Sequence, residues 1–134
     1  MKKSRSNSKL KKELDKHFSL FIRLRDADSD GNVSCYTCGK VSHYKQSQCG
    51  HFVPRNILIT RWNPQNCRNQ DAGCNLWGNG RLLDFEEHLI KDIGAEAVEA
   101  LKASRHQILK VSTAWYLEQI EIYKSLSQEL LKNL

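Results

Sequence analysis

Long apolar runs are missing from this sequence of 134 residues. No stretch approaches the roughly 20 apolar residues of a membrane-spanning helix, and the first residues lack the apolar core of a signal peptide. We therefore expect an intracellular, cytoplasmic protein with no membrane partner. Repeats and low-complexity blocks are also absent, and 40% hydrophobic residues allow only one modest core. The chain is thus predicted to form one small domain with a helical extension.

Acidic residues are the minority among the charged ones. Lys and Arg number 21 against 15 Asp and Glu, a formal net charge of +6. This excess favours an anionic partner, with nucleic acid as the first candidate. The five cysteines are an odd number and include a Cys-x-x-Cys. In a reducing compartment that pattern indicates a metal site before disulfides.

Helical patterns occupy both ends of the chain. The apolar periodicity and the capping signals predict four helices, over 10–25, 82–93, 95–103 and from 113 to the C-terminus. Shorter elements are predicted between them: a hairpin over 33–44, a strand over 57–60, an extended piece over 66–70 and a helical turn over 72–77. The predicted organisation is a flexible basic arm, a main domain and a C-terminal helical extension, over 1–9, 10–104 and 105–134.

A second Cys-x-x-Cys is missing as well. Cys35 and Cys38 lie on one tight knuckle, the spacing with which a tetrahedral zinc takes two thiolates. Where the second pair is expected, Asp71 stands three residues before Cys74, and Cys67 lies four residues further upstream. Asp71 has the better position and Cys67 the better ligand chemistry. The fourth zinc ligand is therefore either Asp71 or Cys67.

His51, in the segment CGHFVPR, is the strongest candidate for chemistry. Imidazole titrates near neutrality, so a histidine on a short strand beside a metal site can take a proton from a water that attacks a phosphodiester. Guanidinium groups hold phosphates in two-point fashion. The arginines near the motif therefore predict a track for the DNA backbone, formed by Arg55, Arg61, Arg68 and Arg81.

The order Cys-x-x-Cys, Gly-His, Asn and Cys-Asn over residues 35–75 resembles the H-N-H, or ββα-metal, nucleases. Within them the sequence looks most like the NinG/Rap recombination endonucleases of lambdoid phages. The likeness begins at FIRLRDAD, residues 21–28, and ends at IGAEAV, residues 93–98. It implies an α+β fold in which a small zinc-stapled ββα core is flanked by an N-terminal helix and by C-terminal helices.

The resemblance also implies roles for individual residues. His51 would be the general base, Asn66 would fix the loop that orients it, and Asn75 would bind a catalytic Mg²⁺, with Mn²⁺ as a substitute. A structural zinc would be held by Cys35, Cys38, Asp71 and Cys74, with Cys67 as the substitute for Asp71.

The implied function is Mg²⁺-dependent hydrolysis of phosphodiesters in branched recombination intermediates, Holliday junctions or D-loops, by a protein encoded by a phage or prophage. Gly50 stands where many H-N-H enzymes carry an acidic metal ligand, and Gln48 stands where the NinG-like branch tends to have an acid. The alternative is therefore a catalytically weakened zinc-knuckle protein that binds DNA.

The last predicted helix carries two apolar stripes. One contains Tyr116, Ile120 and Tyr123, and the other contains Trp115, Ile122 and Leu126. Two stripes predict a homodimer through residues 113–134. The alternative is a monomer in which the N-terminal helix covers one stripe and the core covers the other.

Overall fold

The computed structural model describes residues 6–134, so most of the predicted basic arm over 1–9 lies outside the described residues. The first helix, α1 (Asn7–Arg25), begins before the predicted Leu10. Ser6 is its N-cap, because the serine side chain accepts a hydrogen bond from the backbone N–H of Lys9. Helical spacing places one apolar face toward the core, with Leu10, Leu14, Phe18 and Ile22 buried.

Four short strands form two separate antiparallel pairs. Strands β1 (Asn32–Ser34) and β2 (Val41–His43) form the predicted hairpin around the Cys35–Cys38 knuckle. Gly39 closes that knuckle with a φ of +80°, which glycine adopts without strain. Strands β3 (Gln48–His51) and β4 (Cys67–Gln70) form the second pair, in which His51 lies opposite Cys67.

The segment between β3 and β4 differs from its prediction. Residues 57–60 were predicted to be a strand, but a short helix, α2 (Leu58–Arg61), is formed instead. The strand prediction is wrong because β3 pairs with β4 and not with residues 57–60. The backbone groups of residues 58–61 instead form hydrogen bonds within the helical turn of α2. After β4 the chain makes a π-helical turn, Gly73–Trp77, which agrees with the predicted helical turn over 72–77.

The predicted helices of the second half are confirmed. They are α3 (Leu82–Ile93), α4 (Ala95–Ser104) and α5 (Thr113–Leu131). Gly94 separates the first two with a φ of +90°. The side chain of Ser112 caps α5 by accepting a hydrogen bond from the backbone N–H of Trp115.

Two large apolar clusters hold these elements together, beside a small one formed by Leu24, Val33 and Tyr44. In the larger one, α1 packs against α5, and Trp62 and Cys67 bring the β3–β4 segment into the same core. In the smaller one, the residues after His51 pack on α3 and α4. The architecture is a small mixed α+β fold dominated by helices. None of the helices formed by residues 6–134 has the length and apolar character needed to cross a membrane.

Candidate active site and metal centre

A cavity of about 700 Å³ opens between α1, β3 and the residues that follow the π-helical turn. Its walls bring together polar side chains that are far apart in the sequence. The polar and charged residues that line it are Asp15, Ser19, Arg23, Lys45, Ser47, Gln48, His51, Arg55, Asn75 and Asn79. Two residues predicted for catalysis, His51 and Asn75, therefore face one space.

His51 ends β3 and is fixed by a backbone carbonyl. Its Nε2–H donates to the carbonyl oxygen of Arg61 at 2.9 Å, because that oxygen can only accept. This tautomer leaves the lone pair on Nδ1. Burial lowers the pKa of His51, and the guanidinium groups of Arg55 and Arg61 lower it further, against the opposing effect of the carbonyl bond. The imidazole is thus neutral near pH 7 and can accept a proton.

Asn66 is fully buried and ties the loop around His51 together. Its side-chain carbonyl accepts from the backbone N–H of Val53 at 2.8 Å. Its amide donates to the carbonyl oxygens of Val53 and Thr60, each at 3.1 Å. The residue after Thr60 is Arg61, whose carbonyl holds His51. Asn66 therefore positions the imidazole through the backbone and does not line the cavity.

Asn75 lies in the π-helical turn, directly after Cys74. Its Nδ2 amide donates to Oε1 of Gln48 at 2.8 Å, which connects the turn to β3. This bond leaves Oδ1 of Asn75 as the atom that a cation can contact. Gln48, three residues before His51, thus lies at the position from which an acidic side chain would reach the same cation.

Gly50 has no room for a side chain. A Cβ at this position would lie 1.9 Å from Oε1 of Gln70. The Gln70 side chain is fully buried and fixed, since its amide donates to the hydroxyl of Thr37 and to the carbonyl of Gly80. An acidic metal ligand directly before His51 is therefore incompatible with the packing of this chain.

Asp15, on α1, is bound by three groups at the rim of the cavity. Its carboxylate accepts hydrogen bonds from Arg55 at 2.8 Å, from Arg61 at 2.5 and 3.0 Å and from the indole N–H of Trp62 at 2.9 Å. Partial burial opposes ionisation, but the hydrogen bonds from Arg61 and Arg55 outweigh it and lower the pKa of Asp15. Among the described lining residues Asp15 is the only carboxylate, and these bonds occupy both of its oxygens.

The four arginines of the predicted track differ in their exposure to solvent. Arg55 and Arg81 are exposed, and Arg55 lines the cavity. The guanidinium of Arg61 is largely covered by its pairing with Asp15. Arg68 is buried, and its Nη1 donates to the carbonyls of Pro64, Gln65 and Cys67. The prediction that Arg68 contacts DNA is therefore corrected, because its side chain holds the turn before β4.

Three thiols predicted as zinc ligands come together beside this cavity. The Sγ atoms of Cys35, Cys38 and Cys74 all lie within 4.8 Å of one another. Burial disfavours the Cys35 thiolate. Hydrogen bonds from the hydroxyl of Thr37 and from the backbone of Asp71, Cys38 and Thr37 outweigh that effect and lower its pKa to about 7. A preformed group of soft sulfur donors with one easily ionised thiol fits a structural zinc.

Neither candidate for the fourth ligand belongs to this group. The Asp71 carboxylate accepts a hydrogen bond from the backbone N–H of Gly73 at 3.0 Å and pairs with Lys40 at 3.5 Å. Cys67 lies on β4 beside Cys49 and His51, in a different cluster. Burial raises the pKa of Cys67 well above its usual value, and the neighbouring Cys49 thiol raises it further. The structure thus brings three of the predicted zinc ligands together.

Asp15 and Lys45 are two of the cavity residues that the sequence analysis did not identify. Asp15 carries no local signal, because its partners lie 40 or more residues away in the chain. Lys45 follows β2 in a short polar segment and places an exposed cation at the cavity. The positive charge of Lys45 and its position before the Gly-His motif are the only sequence signals for a role at the cavity.

The fold and the site together define a class: a small α+β protein in which a cysteine group suited to a metal adjoins a polar cavity with a neutral histidine. The comparisons with known proteins give the family. The family model described as the bacteriophage lambda NinG protein matches residues 1–133, so the chain belongs to the NinG family of phage proteins. No solved structure matches the chain.

Individual relatives agree with this assignment. The chain is 29% identical to Protein ninG of Escherichia phage lambda over 126 residues, which cover 92% of this chain and 56% of the relative. It is 28% identical to Protein ninG of Salmonella phage P22 over the same length, with the same coverage. The chain thus spans little more than half the length of the curated relatives that it matches.

Proposed function

We propose that the protein is a Mg²⁺-dependent DNA endonuclease of the H-N-H type that acts on branched recombination intermediates. The observation that carries the proposal is the state of His51. A backbone carbonyl fixes the imidazole in the tautomer with Nδ1 unprotonated, at the wall of a cavity that also contains Asn75 and exposed cations. The order of β3, the Asn66 loop, β4 and a helical turn supports a ββα arrangement of these groups.

In this mechanism His51 acts as the general base. Its Nδ1 removes a proton from the water that attacks the phosphorus atom, and the carbonyl of Arg61 stabilises the imidazolium that forms. Asn66 contributes by keeping the Arg61 carbonyl in place. Arg55 and Lys45 contribute positive charge that holds the DNA backbone at the cavity.

The residues present fit a Mg²⁺ ion that keeps most of its water. Asn75 and Gln48 offer neutral carboxamide oxygens, and the Asp15 carboxylate is already bound. Mg²⁺ is commonly held by few protein oxygens together with waters and substrate phosphate. Bound there by Asn75 with Gln48, Mg²⁺ or Mn²⁺ would stabilise charge on the phosphate and on the leaving oxygen.

Zinc would have a structural role at Cys35, Cys38 and Cys74. These residues connect the β1–β2 knuckle with the π-helical turn. Asn75 follows Cys74 directly, so fixing the turn also fixes the carboxamide at the cavity.

An exposed aromatic side chain supports the choice of a branched substrate. Leu76 lines the cavity, and Trp77, the next residue, is 86% exposed. A tryptophan this exposed adds nothing to the core but offers a flat surface on which an unpaired base can stack. Trp62 is buried and Trp115 is half-buried, so Trp77 is the indole that DNA can reach.

The neutral character of Gln48 and Asn75 favours a second candidate function. Without a carboxylate available for the cation, the same surface would serve a zinc-knuckle protein that binds branched DNA and cuts it weakly or not at all.

The test is to incubate the purified protein with linear, flapped and four-way DNA, with Mg²⁺ or with EDTA. We expect Mg²⁺-dependent nicking that His51→Ala lowers by about 10²- to 10⁴-fold, the usual contribution of a general base. Junction binding by this variant should remain intact. His106→Ala, which removes an exposed histidine after α4, is the control. Equal nicking by wild type and His51→Ala would refute the assignment, whereas binding without cleavage in both would favour the second candidate.

A further inference from the structure

A second group of metal-ligating atoms lies at the cavity, separate from the three-thiol group. Cys49, His51 and Cys67 each offer one such atom, and these atoms all lie within 4.8 Å of one another. The β3–β4 register explains this proximity. His51 is directly opposite Cys67, and Cys49 lies two residues before His51, on the same face of the pair. Backbone pairing has therefore already assembled the group.

The backbone carbonyl of Arg61 faces the same group. Its oxygen lies 2.9 Å from Nε2 of His51 and accepts a hydrogen bond from the Cys67 thiol at 3.7 Å. The same oxygen would face the positive charge of an ion bound among these groups. Two sulfurs and one imidazole, with an oxygen nearby, form a donor set suited to zinc.

The surroundings give an ion both access and charge compensation. Cys49 and His51 line the cavity, whereas Cys67 lies behind them and is fully buried. Arg25 donates to the carbonyl of Cys67 at 2.9 Å, which places a guanidinium close to the thiol. Its positive charge partly offsets the burial that disfavours the Cys67 thiolate, the form that zinc requires.

We propose that Cys49, His51 and Cys67 form a second zinc site, and that zinc bound there switches off the general base. Binding would release the proton of each thiol, and His51 would give its one ring lone pair to the ion. A neutral imidazole has a single such lone pair, so the other ring nitrogen then carries the proton and cannot accept another. The inhibitory effect rests on the proposed nuclease function, whereas zinc binding does not.

The binding experiment uses the full chain under reducing conditions, equilibrated with a buffered excess of Zn²⁺ and then analysed for bound metal. Wild type should hold one equivalent of zinc more than Cys49→Ser, and His51→Ala should lose the same equivalent. Cys38→Ser is the matched control, because it removes a thiol from the other group and leaves this one complete. Circular dichroism checks that each variant is folded. Equal zinc contents in wild type and Cys49→Ser would overturn the proposal, as would a Cys49–Cys67 disulfide found in place of the metal.

The inhibition experiment titrates Zn²⁺ into the nicking reaction at constant Mg²⁺, with each protein compared with its own rate without zinc. The zinc concentration that halves the rate should be at least about tenfold higher for Cys49→Ser than for wild type, since even outer-shell changes alter metal affinity to that extent. Equal inhibition of both would overturn the regulatory role. Absence of nicking by zinc-free wild type would instead refute the nuclease function, and the zinc contents would still decide whether the site exists.

Discussion

Asp15 connects α1 to the segment that follows His51. Its carboxylate binds Arg61, and the carbonyl of the same Arg61 holds the imidazole of His51. Asp15 thus fixes the Arg61 side chain at the cavity rim. It also bonds Arg55, but most of the Arg55 side chain stays exposed. As a result, none of the described lining residues offers a carboxylate without hydrogen bonds.

The lowered pKa of Asp15 predicts a dependence of stability on pH. A carboxyl with a depressed pKa in the folded state stabilises the fold fully above its unfolded pKa, here near 3.8, and loses that contribution as the pH falls through the folded value. Asp15→Asn should therefore lower the free energy of unfolding by about 1–3 kcal/mol at neutral pH. The difference from wild type should shrink as the pH falls below 3.8.

Denaturant titrations at neutral and acidic pH measure this effect. Asp30→Asn, at an exposed position in the turn after α1, is the control and should behave like wild type. A difference between wild type and Asp15→Asn that stayed constant with pH would show that the ionised carboxylate is not what stabilises the rim.

At the scale of elements, the Cys35–Cys38 knuckle and the segment before the π-helical turn should differ in their response to mutation. Cys38→Ser removes a thiol from the three-cysteine group, so it should release zinc readily and lower the melting temperature, since ligation contributes folding free energy. Asp71→Asn should retain the metal, because its carboxylate caps Gly73 and pairs with Lys40. Zinc content after exposure to a chelator measures both effects. Equal loss from the two variants would place Asp71 among the ligands.

Elements with a local signal were predictable from the sequence. Gly94 and Ser112 mark helix boundaries, and helices α3, α4 and α5 lie where the pattern placed them. The strand predicted over 57–60 is wrong, because a run of three apolar residues does not reveal whether a partner strand exists. The strand that pairs with β3 is β4, which follows residues 57–60 in the chain.

The residues of the candidate site likewise fall into those with a local sequence signal and those without one. His51, Asn66 and Asn75 form a recognisable order in the sequence, and the fold brings His51 and Asn75 to one cavity with Asn66 behind it. The role of Asp15 and the packing of Arg68 over the Tyr36 ring depend on contacts between distant segments, which spacing does not encode. Spacing also favoured Asp71 over Cys67 for zinc, yet both side chains bind elsewhere.

At the scale of the whole molecule, the homodimer through residues 113–134 remains a prediction. Helix α1 covers one stripe of α5, including Tyr116 and Ile120. In the second stripe Ile122 and Leu126 are each 41% exposed. A second copy that buried these residues would remove apolar surface from water.

Light scattering at tens of micromolar protein checks this prediction. We expect a dimer for the wild type and a monomer for Ile122→Glu, because a charge on this stripe would face the partner copy. Lys124→Glu, also exposed on α5, is the control for the added charge. A monomeric wild type would refute the homodimer.

The packing of α1 against α5 has a consequence for the order in which the protein matures. Helix α5 follows every residue of the candidate active site in the chain, so Trp62 and Cys67 can cover only part of the apolar face of α1 until α5 has left the ribosome. Contacts between segments this distant in sequence form late in folding. Asp15 lies on α1, so its bonds to Arg61 form only when α1 is in place. The cavity should therefore reach its final form only after α5 has been synthesised and has packed on α1.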